Sequence, residues 1–451
     1  MRSEFATGSD FATGKGRTMD FDAIIIGAGV IGTSVALGLS RAGCRTLNVD
    51  ALPAAGYGST SNSSAVIRPF YSAMETCALA HEARHQWTRW ADFLDAADES
   101  GFAEYVECGI LVLMGEGDKE RFAPSVLAMR EVGVPFEYLS PDDIRQRMPT
   151  ITLQSFGPPK LPGDPAFGVA NETPLSGGLF IPEAGYVGDP QLAAHNLQRA
   201  AEALGAVFRF NLPVTAINQP DGRAGGILTA SGESVSAPIV VNVAGPHSSQ
   251  VNALAGVTAD IAMATRPMRH EVAHIPAPEN FDPQHGGCVI ADGDAGVYFR
   301  PEGEGHMLIG SLDPECDGKD YVDADEYNQG FTEQWTRQVW RTAQRFPGLG
   351  IPNTAQGVVG LYDATDDWVP VYDKSSLPGF YMAIGTSGNQ FKNAPVIGAL
   401  MAELILACES GHDHDNDPVR FDLPHLGRSI DLGFFSRKRD SHTEGSGTVL
   451  A

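Results

Sequence analysis

The chain has 451 residues, 43% hydrophobic and 19% charged, which is the composition of a soluble globular enzyme long enough for two connected domains. Its 31 Lys and Arg against 56 Asp and Glu give a net charge of −25, which repels phosphate backbones and anionic lipids, so we expect no nucleic acid or membrane partner. Six cysteines are scattered without CxxC spacing, which indicates reduced thiols in a cytoplasmic protein.

The two ends of the chain differ in composition from the rest. Residues 1–18 repeat FATG and lack a continuous apolar core, which predicts a disordered leader or tag with Met19 as the natural start. Residues 411–451 are rich in Asp, His and Ser and predict a loosely packed tail. The tail contains His412 and His414 in HDHDND, but acidic segments of this kind are usually solvated, so no metal site is predicted.

Residues 21–50 have the pattern of a strand, a helix and a second strand. Apolar residues predict the strands at Asp22–Ile26 and Thr46–Val49, and helical apolar spacing predicts the helix at Thr33–Arg41. Between the first strand and the helix, three glycines complete a GxGxxG motif: Gly27, Gly29 and Gly32.

This glycine motif is suited to an adenine dinucleotide. Gly27 permits a tight turn, Gly29 lets the backbone approach a pyrophosphate, and Gly32 lets helix and strand pack closely. The pyrophosphate then meets free N–H groups at the helix start, near Val30 and Ile31. Asp50, followed by Ala51, is placed to accept hydrogen bonds from ribose hydroxyls and would repel a 2′-phosphate. The motif alone leaves FAD and NAD open.

Six further segments occur in a fixed order along the chain. They are GSTSNSSAVIRPFYS (58–72), IPEAGYVGDPQLAAHNLQRAAEALGA (181–206), VVNVAGPHSSQVNALAGV (240–257), RPMRHEV (266–272), VYFRPEGEGHMLIGSLDPE (297–315) and GFYMAIGTSGNQFKNAPVIGALMAELI (379–405). With the glycine motif, the sequence from about Asp20 to Ala407 resembles the D-amino-acid-oxidase-type flavoproteins, in particular the sarcosine oxidase and dimethylglycine dehydrogenase branch. GTSGNQFKNAP is similar to the C-terminal signature of that family.

The resemblance implies a two-domain fold of α/β (α+β) type. A Rossmann-like FAD-binding domain would be assembled from residues 19–100, 181–260 and 357–410. Residues 101–180 and 261–356 would form an inserted substrate domain around a mixed or antiparallel sheet.

The resemblance also implies which residues hold FAD. Val214 matches the adenine side, and Ala244-Gly245 leave room for the cofactor at the end of a buried strand. The GTSG segment would open a helix from Ala394 to Ala407 and direct backbone N–H groups at the flavin. The other cofactor contacts implied are Ser59, Thr60, Ser61, Ser64, Ala65, Gly385, Ser387, Gly388, Asn389, Gln390, Phe391 and Lys392.

Four residues are candidates for the substrate site. The resemblance places Arg68 and Lys392 on a substrate carboxylate, which a guanidinium fork and an ammonium group suit, and places Tyr298 beside the flavin. His270 is a further candidate for a hydrogen bond near the site. The alternatives are a surface or helix-capping cation for Arg68 and Lys392, a core tyrosine for Tyr298 and a structural histidine for His270.

Three positions depart from the family patterns. Asn62 stands where the dehydrogenases carry a flavin-linking histidine, and Gly360 stands where the monomeric oxidases carry a flavin-linking cysteine, so we expect non-covalent FAD. Leu308 replaces a lysine that assists the reaction with oxygen in those oxidases. The electron acceptor is therefore open between O2 and a redox carrier.

Three functions are consistent with the sequence. The first is FAD-dependent oxidation of a small carboxylate-bearing secondary or tertiary amine by hydride transfer and imine hydrolysis. The second is deamination of a D-amino acid or glycine, or oxidation of a hydroxy acid. The third is a non-catalytic FAD subunit for electron transfer. A carboxylate-binding pair such as Arg68 and Lys392 has little use in the third.

Overall fold

The computed structural model describes residues 20–442, so the predicted leader, residues 1–18, and Met19 lie outside the described residues. The strands are β1 Ala23–Ile26, β2 Thr46–Val49, β3 Val66–Ile67, β4 Tyr105–Glu107, β5 Ile110–Met114, β6 Glu137–Leu139, β7 Gly177–Ile181, β8 Gly185–Val187, β9 Val207–Arg209, β10 Val214–Ile217, β11 Gly226–Thr229, β12 Ser234–Ser236, β13 Ile239–Asn242, β14 Arg266–Pro276, β15 Val289–Asp292, β16 Val297–Glu302, β17 His306–Ser311, β18 Gly357–Ala364, β19 Val371–Lys374, β20 Phe380–Ile384, β21 Arg420–Leu423 and β22 Arg428–Asp431. The α-helices are α1 Val30–Arg41, α2 Met74–Trp87, α3 Trp90–Leu94, α4 Asp118–Arg121, α5 Ala123–Val132, α6 Pro141–Arg147, α7 Pro190–Ala203, α8 Ser248–Ala255, α9 Glu333–Arg345 and α10 Ala394–Glu409.

A six-stranded sheet carries the glycine motif. Its order is β19-β20-β13-β1-β2-β9, and every neighbouring pair is parallel except β19 with β20. Both faces of β1 are buried, as expected for a parallel strand rich in isoleucine. Ile25 packs with the helices α1, α7 and α10, whereas Ile24 packs toward the small β10-β11-β12 sheet. The result is a three-layer domain.

Helices α1 and α10 pack in close backbone contact. A Cβ on Gly398 would lie 2.0 Å from the carbonyl oxygen of Ser34, so only glycine fits there. The Ser34 hydroxyl donates to the carbonyl of Ala394 and accepts from the N–H of Gly398 at 3.0 Å. The helix of the glycine motif therefore fixes the helix that follows the GTSG segment. The 19-residue segment Phe391–Glu409 has a mean hydropathy of 1.4, long and apolar enough to span a membrane, but 72% of it is buried inside the protein.

An eight-stranded mixed sheet forms the second domain. Its order is β18-β14-β17-β16-β15-β5-β7-β6, antiparallel except for the parallel pair of β15 with β5. Alternate residues face opposite sides: Ile290 and Phe299 pack with Trp335 of α9, whereas Ala291 and Tyr298 face a large cavity. The sheet therefore forms the roof of that cavity.

The predicted domain boundary at residue 357 lies one strand too early. β18 pairs with β14 along its whole length, from Arg266 with Ala364 to Ala273 with Gly357, so it belongs to the large sheet. The boundary missed this strand because the family motif that marks the FAD domain begins only after it.

The prediction of a loosely packed tail is wrong as far as residue 442. β21 and β22 form a hairpin whose apolar side chains are buried, including Phe421, Leu423 and Ile430. The buried Arg437 pairs with Asp373 at 3.0 Å and with Asp415 at 2.8 Å. His414 is buried too, and its Nδ1 accepts from the N–H of Val419. The segment packs against the protein despite its polar composition, because its alternating apolar residues and its paired arginine are buried.

Replacing Phe435 with alanine tests the packing of the tail. Phe435 is fully buried against the ring of Tyr372, with ring centroids 5.3 Å apart. We expect F435A to lower the free energy of unfolding by about 3–5 kcal/mol, measured by urea unfolding, because the truncation leaves a cavity. The control D422A, at an exposed position of β21, should change it by less than about 0.5 kcal/mol. Equal stability of F435A and wild type would contradict the packing.

Candidate functional site

A cavity of about 1010 Å³ lies between the two sheets. Its walls come from the β1–α1 loop, residues 57–68, the end of β13, the inner face of the large sheet and residues 386–392. Segments distant in sequence thus meet around one space, at the carboxyl ends of the parallel strands, where ligands bind in open α/β sheets.

The glycine motif forms a cradle at one part of the cavity. Gly27 has φ +114°, and a Cβ there would lie 2.3 Å from the carbonyl oxygen of Val243. A Cβ on Gly32 would lie 2.0 Å from the carbonyl oxygen of Gly27. The turn and the close packing predicted for these two glycines are both present. Gly29, Val30 and Ile31 line the cavity beside them.

Asp50 secures this cradle from the end of β2. Its carboxylate oxygens accept from the N–H groups of Ala28 at 2.6 Å and Leu52 at 2.8 Å. Burial raises the pKa of Asp50, and those two hydrogen bonds oppose the rise. Asp50 and Ala51 line the cavity, so a contact with ribose hydroxyls remains the prediction for their role.

The adenine side predicted at Val214 and Ala244-Gly245 also faces the cavity. Next to it, His247 Nε2 lies 2.8 Å from Asp325 in the loop between β17 and α9. That loop adds Tyr327 and Gln329 to the wall. This loop was not predicted to line the site, because it has no recognisable motif.

Residues 58–65 form the second wall around the cradle. The Thr60 hydroxyl accepts from the N–H of Val30 at 3.0 Å, and the Ser59 hydroxyl donates to the carbonyl of Leu361 at 2.7 Å. Ser59, Thr60, Ser64 and Ala65 line the cavity, and a contact with the cofactor remains the prediction for them. Ser61 does not line it, since its hydroxyl is turned to the carbonyl of Gly58 at 2.9 Å.

Contrary to the prediction, the GTSG segment is a tight loop that does not open the helix directly. Six residues separate Gly388 from Pro395, and α10 begins at Ala394 after a short 3-10 turn. Gly385 and Ser387 of this loop do not line the cavity, whereas Thr386 and Gly388 of the same loop do. Residues 389–392 line the cavity, and their contact with the cofactor remains a prediction.

A buried carboxyl, Asp363, supports this loop from the end of β18. Its Oδ2 accepts from the N–H of Gly385 at 2.6 Å, and its backbone carbonyl accepts from the N–H of Ser387 at 2.8 Å. Burial raises the pKa of Asp363 to about 7. The sequence did not single out Asp363, because its partner lies 22 residues away in another sheet.

Two buried cations flank one aromatic ring beside the 389–392 segment. The Arg68 guanidinium lies 4.7 Å from the centroid of the Tyr71 ring, and Lys392 Nζ lies 5.4 Å from it. Lys392 also donates to the Tyr71 hydroxyl at 3.0 Å. Burial, and then the positive charge of Arg68, hold the pKa of Lys392 well below its usual range. An anion bound near both cations would reduce this repulsion.

Tyr298, on β16, lines the cavity, and its place beside the flavin remains a prediction. Its hydroxyl lies 2.8 Å from the Ser64 hydroxyl. The neighbouring Arg300, fully buried over the Tyr186 ring, donates from Nε to the carbonyl of Ser64 at 2.8 Å. Together these bonds join the large sheet to the loop that bears Ala65, whose φ is +47°.

His270 is buried on β14 and also lines the cavity. Its ring stacks on Tyr362, with centroids 4.2 Å apart and planes 23° from parallel. Its Nε2 lies 3.5 Å from Oδ1 of the buried Asp313. The sequence indicated neither Tyr362 nor Asp313, since both contacts depend on strand pairing.

The two positions where related enzymes attach the flavin are neighbours in this fold. A Cβ on Gly360 would lie 3.0 Å from the Cβ of Asn62. An amide and a glycine offer no nucleophile, and no cysteine lines the described part of the cavity. Within residues 20–442, no group of three or more His, Cys, Asp and Glu is placed to hold a metal ion.

These residues fit FAD. A glycine cradle beside the start of a helix suits a pyrophosphate, Asp50 suits a ribose, and the space is large enough for a dinucleotide with a small substrate.

Comparisons with known proteins agree with this fit. The family model "FAD dependent oxidoreductase" (DAO) matches residues 22–404. FAD-dependent oxidoreductase domain-containing protein 1 of Bos taurus is 25% identical over 427 residues, covering 85% of this chain and 81% of the relative. Sarcosine oxidase subunit beta of Arthrobacter sp is 24% identical over 417 residues, covering 90% and 92%. The crystal structure of glycine oxidase from Geobacillus kaustophilus has a TM-score of 0.70 at 20% identity, covering 94% of this chain and 100% of that one. The predicted family resemblance and two-domain α/β fold are confirmed.

The mode of flavin attachment can be tested by denaturation. We expect acid precipitation of the holoprotein to release all of its FAD into the supernatant, because Asn62 and Gly360 cannot form the known links. The absorbance of supernatant and pellet is the measurement. A pellet that stays yellow after washing would contradict non-covalent binding.

Because Asp363 is buried with a raised pKa, we expect the free energy of unfolding to depend on pH. A pKa raised from 3.8 to about 7 means that the folded protein favours the protonated carboxyl, so this contribution to stability is full below about pH 4 and is lost as the pH rises through about 7. D363N retains an acceptor for Gly385 but does not titrate. From pH 5 to pH 8, the free energy of unfolding of wild type should therefore fall by roughly 3 kcal/mol relative to that of D363N, measured by urea unfolding. Parallel stability curves for the two proteins would refute the raised pKa.

Proposed function

The chain belongs to the FAD-dependent oxidoreductase family, and we propose that it oxidises a carboxylate-bearing secondary or tertiary amine at the carbon next to nitrogen. The substrate class is that of sarcosine, dimethylglycine or another N-alkyl amino acid. The observation that carries this proposal is the buried pair of Arg68 and Lys392 around Tyr71, in the cavity that also contains the glycine cradle.

Arg68 and Lys392 hold the substrate carboxylate. A guanidinium presents two parallel donors to a carboxylate, and an ammonium adds a point charge. The carboxylate in turn supports the charged form of Lys392, which burial and Arg68 disfavour in its absence. Binding therefore draws its energy from groups already fixed in place.

The bound carboxylate directs the rest of the substrate into the space under the large sheet. Tyr298 and Tyr362 line this space, and its apolar walls include Val272, Val289 and Ala291. These groups exclude water and orient the C–H bond next to nitrogen. Bound FAD supplies the acceptor for the hydride of that C–H bond. Water then hydrolyses the imine to a carbonyl compound and a shorter amine.

The electrons leave to O2 or to a redox carrier, and Leu308 offers no cation to assist the reaction with oxygen. We also propose a cytoplasmic location, supported by the six cysteines, all of which are free thiols in the described chain.

Anaerobic reduction of the flavin tests the function. Sarcosine, dimethylglycine, N-methylalanine, proline, glycine, D-alanine and glycolate would each be added to the holoprotein while the yellow absorption is followed. We expect bleaching by N-substituted amino acids. Bleaching by glycine or D-alanine alone would support deamination of primary amino acids instead. No bleaching with any compound would overturn the proposal in favour of a non-catalytic flavin subunit.

Substitution of the cations tests the carboxylate site. We expect R68K and K392M to raise the substrate concentration for half-maximal flavin reduction about 10- to 100-fold, because each loses charge-assisted hydrogen bonds. The control R266K, at an exposed arginine paired with Asp366, should leave it unchanged. For the methyl ester of the same substrate, which lacks the negative charge, the concentration for half-maximal flavin reduction should change little in either variant. An equal effect on acid and ester would contradict the assignment.

A further inference from the structure

His270 lies between two cavities. Besides the main cavity, it lines a second, polar cavity of about 180 Å³. That space can hold several water molecules, since charged side chains surround it. The charged residues in its wall are Arg269, Asp313, Asp317, Lys319, Asp320 and Arg337.

The contacts of His270 fix its ring between these two spaces. Stacking on Tyr362 holds the ring at the wall of the main cavity. On the other side, Nε2 lies 3.5 Å from Oδ1 of Asp313, which lines the second cavity. The other oxygen of Asp313, Oδ2, is buried without a hydrogen-bond partner in the described chain. One imidazole and one carboxyl therefore connect the main cavity to the second.

The charges around this pair are close to balanced. Lys319 attracts the Asp313 carboxylate and Asp317 repels it, while burial raises the pKa of Asp313. Arg269 is paired with Glu271 at 2.8 Å and with Asp320 at 4.0 Å. Arg337 faces Asp317 at 3.9 Å. Toward the main cavity, His270 contacts the ring of Tyr362, and Tyr298 lines the same cavity.

We propose that His270 and Asp313 relay the proton of the substrate amine out of the main cavity into the second one. This inference rests on the proposed function. An amino acid arrives with a protonated nitrogen, whereas the neutral amine is the form that is oxidised. A route for that proton is therefore part of each turnover.

The relay moves one proton and no electrons. The substrate N–H bond breaks, and the proton is taken up at Nδ1 of His270. Nε2 of His270 gives its proton to Oδ1 of Asp313, and Asp313 gives it to water in the second cavity. The imidazole then returns to its starting tautomer by proton exchange with water, and the substrate amine is left neutral. Imidazole suits this step because one of its ring nitrogens can accept a proton while the other donates one.

The pH dependence of flavin reduction distinguishes a relay from a structural role. The limiting anaerobic reduction rate would be measured by stopped flow from pH 6 to pH 10, at saturating substrate, for wild type, H270Q and D313N. At pH 7 we expect both variants to be at least tenfold slower than wild type. Their rates should rise with pH and meet the wild-type rate where the substrate amine is already neutral. His274, on the same strand and with its ring 4.7 Å from that of His306, gives the matched control H274Q, which should follow wild type throughout.

The other outcomes separate the two proposals. Wild-type protein that no amine reduces would overturn the proposed function, and the relay with it. If wild type is reduced but H270Q and D313N share its pH profile, the relay is wrong and the function stands. A rate lowered by the same factor at every pH would assign His270 a packing role and overturn the relay as well.

Discussion

The burial of two cations close to one tyrosine ring is the constraint on which the candidate site depends. Arg68 and Lys392 repel each other in a medium that does not screen them, so they can stay close only if the backbone around them is rigidly held. The segment that bears Lys392 is continuous with α10, which the Ser34 bridge ties to α1. Trp87 of α2 adds a second support, because its indole N–H donates to the carbonyl of Lys392 at 2.7 Å.

The same constraint relates the proposed substrate site to the glycine cradle. Arg68 follows β3, and the loop before that strand is bound to the large sheet through Arg300, Tyr298 and Ser64. One turn earlier, Thr60 accepts from the first N–H of α1. A single loop therefore carries contacts to the cradle, to the sheet above the cavity and to the carboxylate site. We therefore expect a structural change in the cradle, in the sheet or in the proposed carboxylate site to alter the geometry of the other two.

Local patterns in the sequence predicted the parts of this structure that depend on local geometry. The strand, glycine turn and helix from residue 22 to residue 41 were predicted to within three residues, because turn and periodicity are properties of neighbouring residues. Most predicted cofactor contacts face the cavity, but Ser61, Gly385 and Ser387 do not, since a tight loop alternates the direction of its side chains. The roles of Tyr71, Tyr362, Asp313 and Asp363 were not predicted. Each role depends on a partner brought near by sheet pairing or helix packing. The assignment of β18 to the FAD domain and of the tail to loosely packed chain also failed because both depend on such long-range pairing.

The net charge of the chain does not predict the charge of the ligand that its cavity binds. A net charge of −25 coexists with a cavity wall that contains the buried cations Arg68 and Lys392. Water and salt screen the surface carboxylates, whereas Arg68 and Lys392 act at short range in the low-dielectric interior, so the local pair has the larger effect on what binds.

The central claim is that this pair binds a carboxylate beside the flavin, and a spectral titration with a non-reactive ligand tests it most directly. Acetate added to the anaerobic holoprotein should produce a saturable change in flavin absorption, weakened at least tenfold in R68K. Acetamide, of the same shape without the charge, should produce no such change. A response to acetamide equal to that of acetate, or an acetate affinity unaltered in R68K, would contradict the claim.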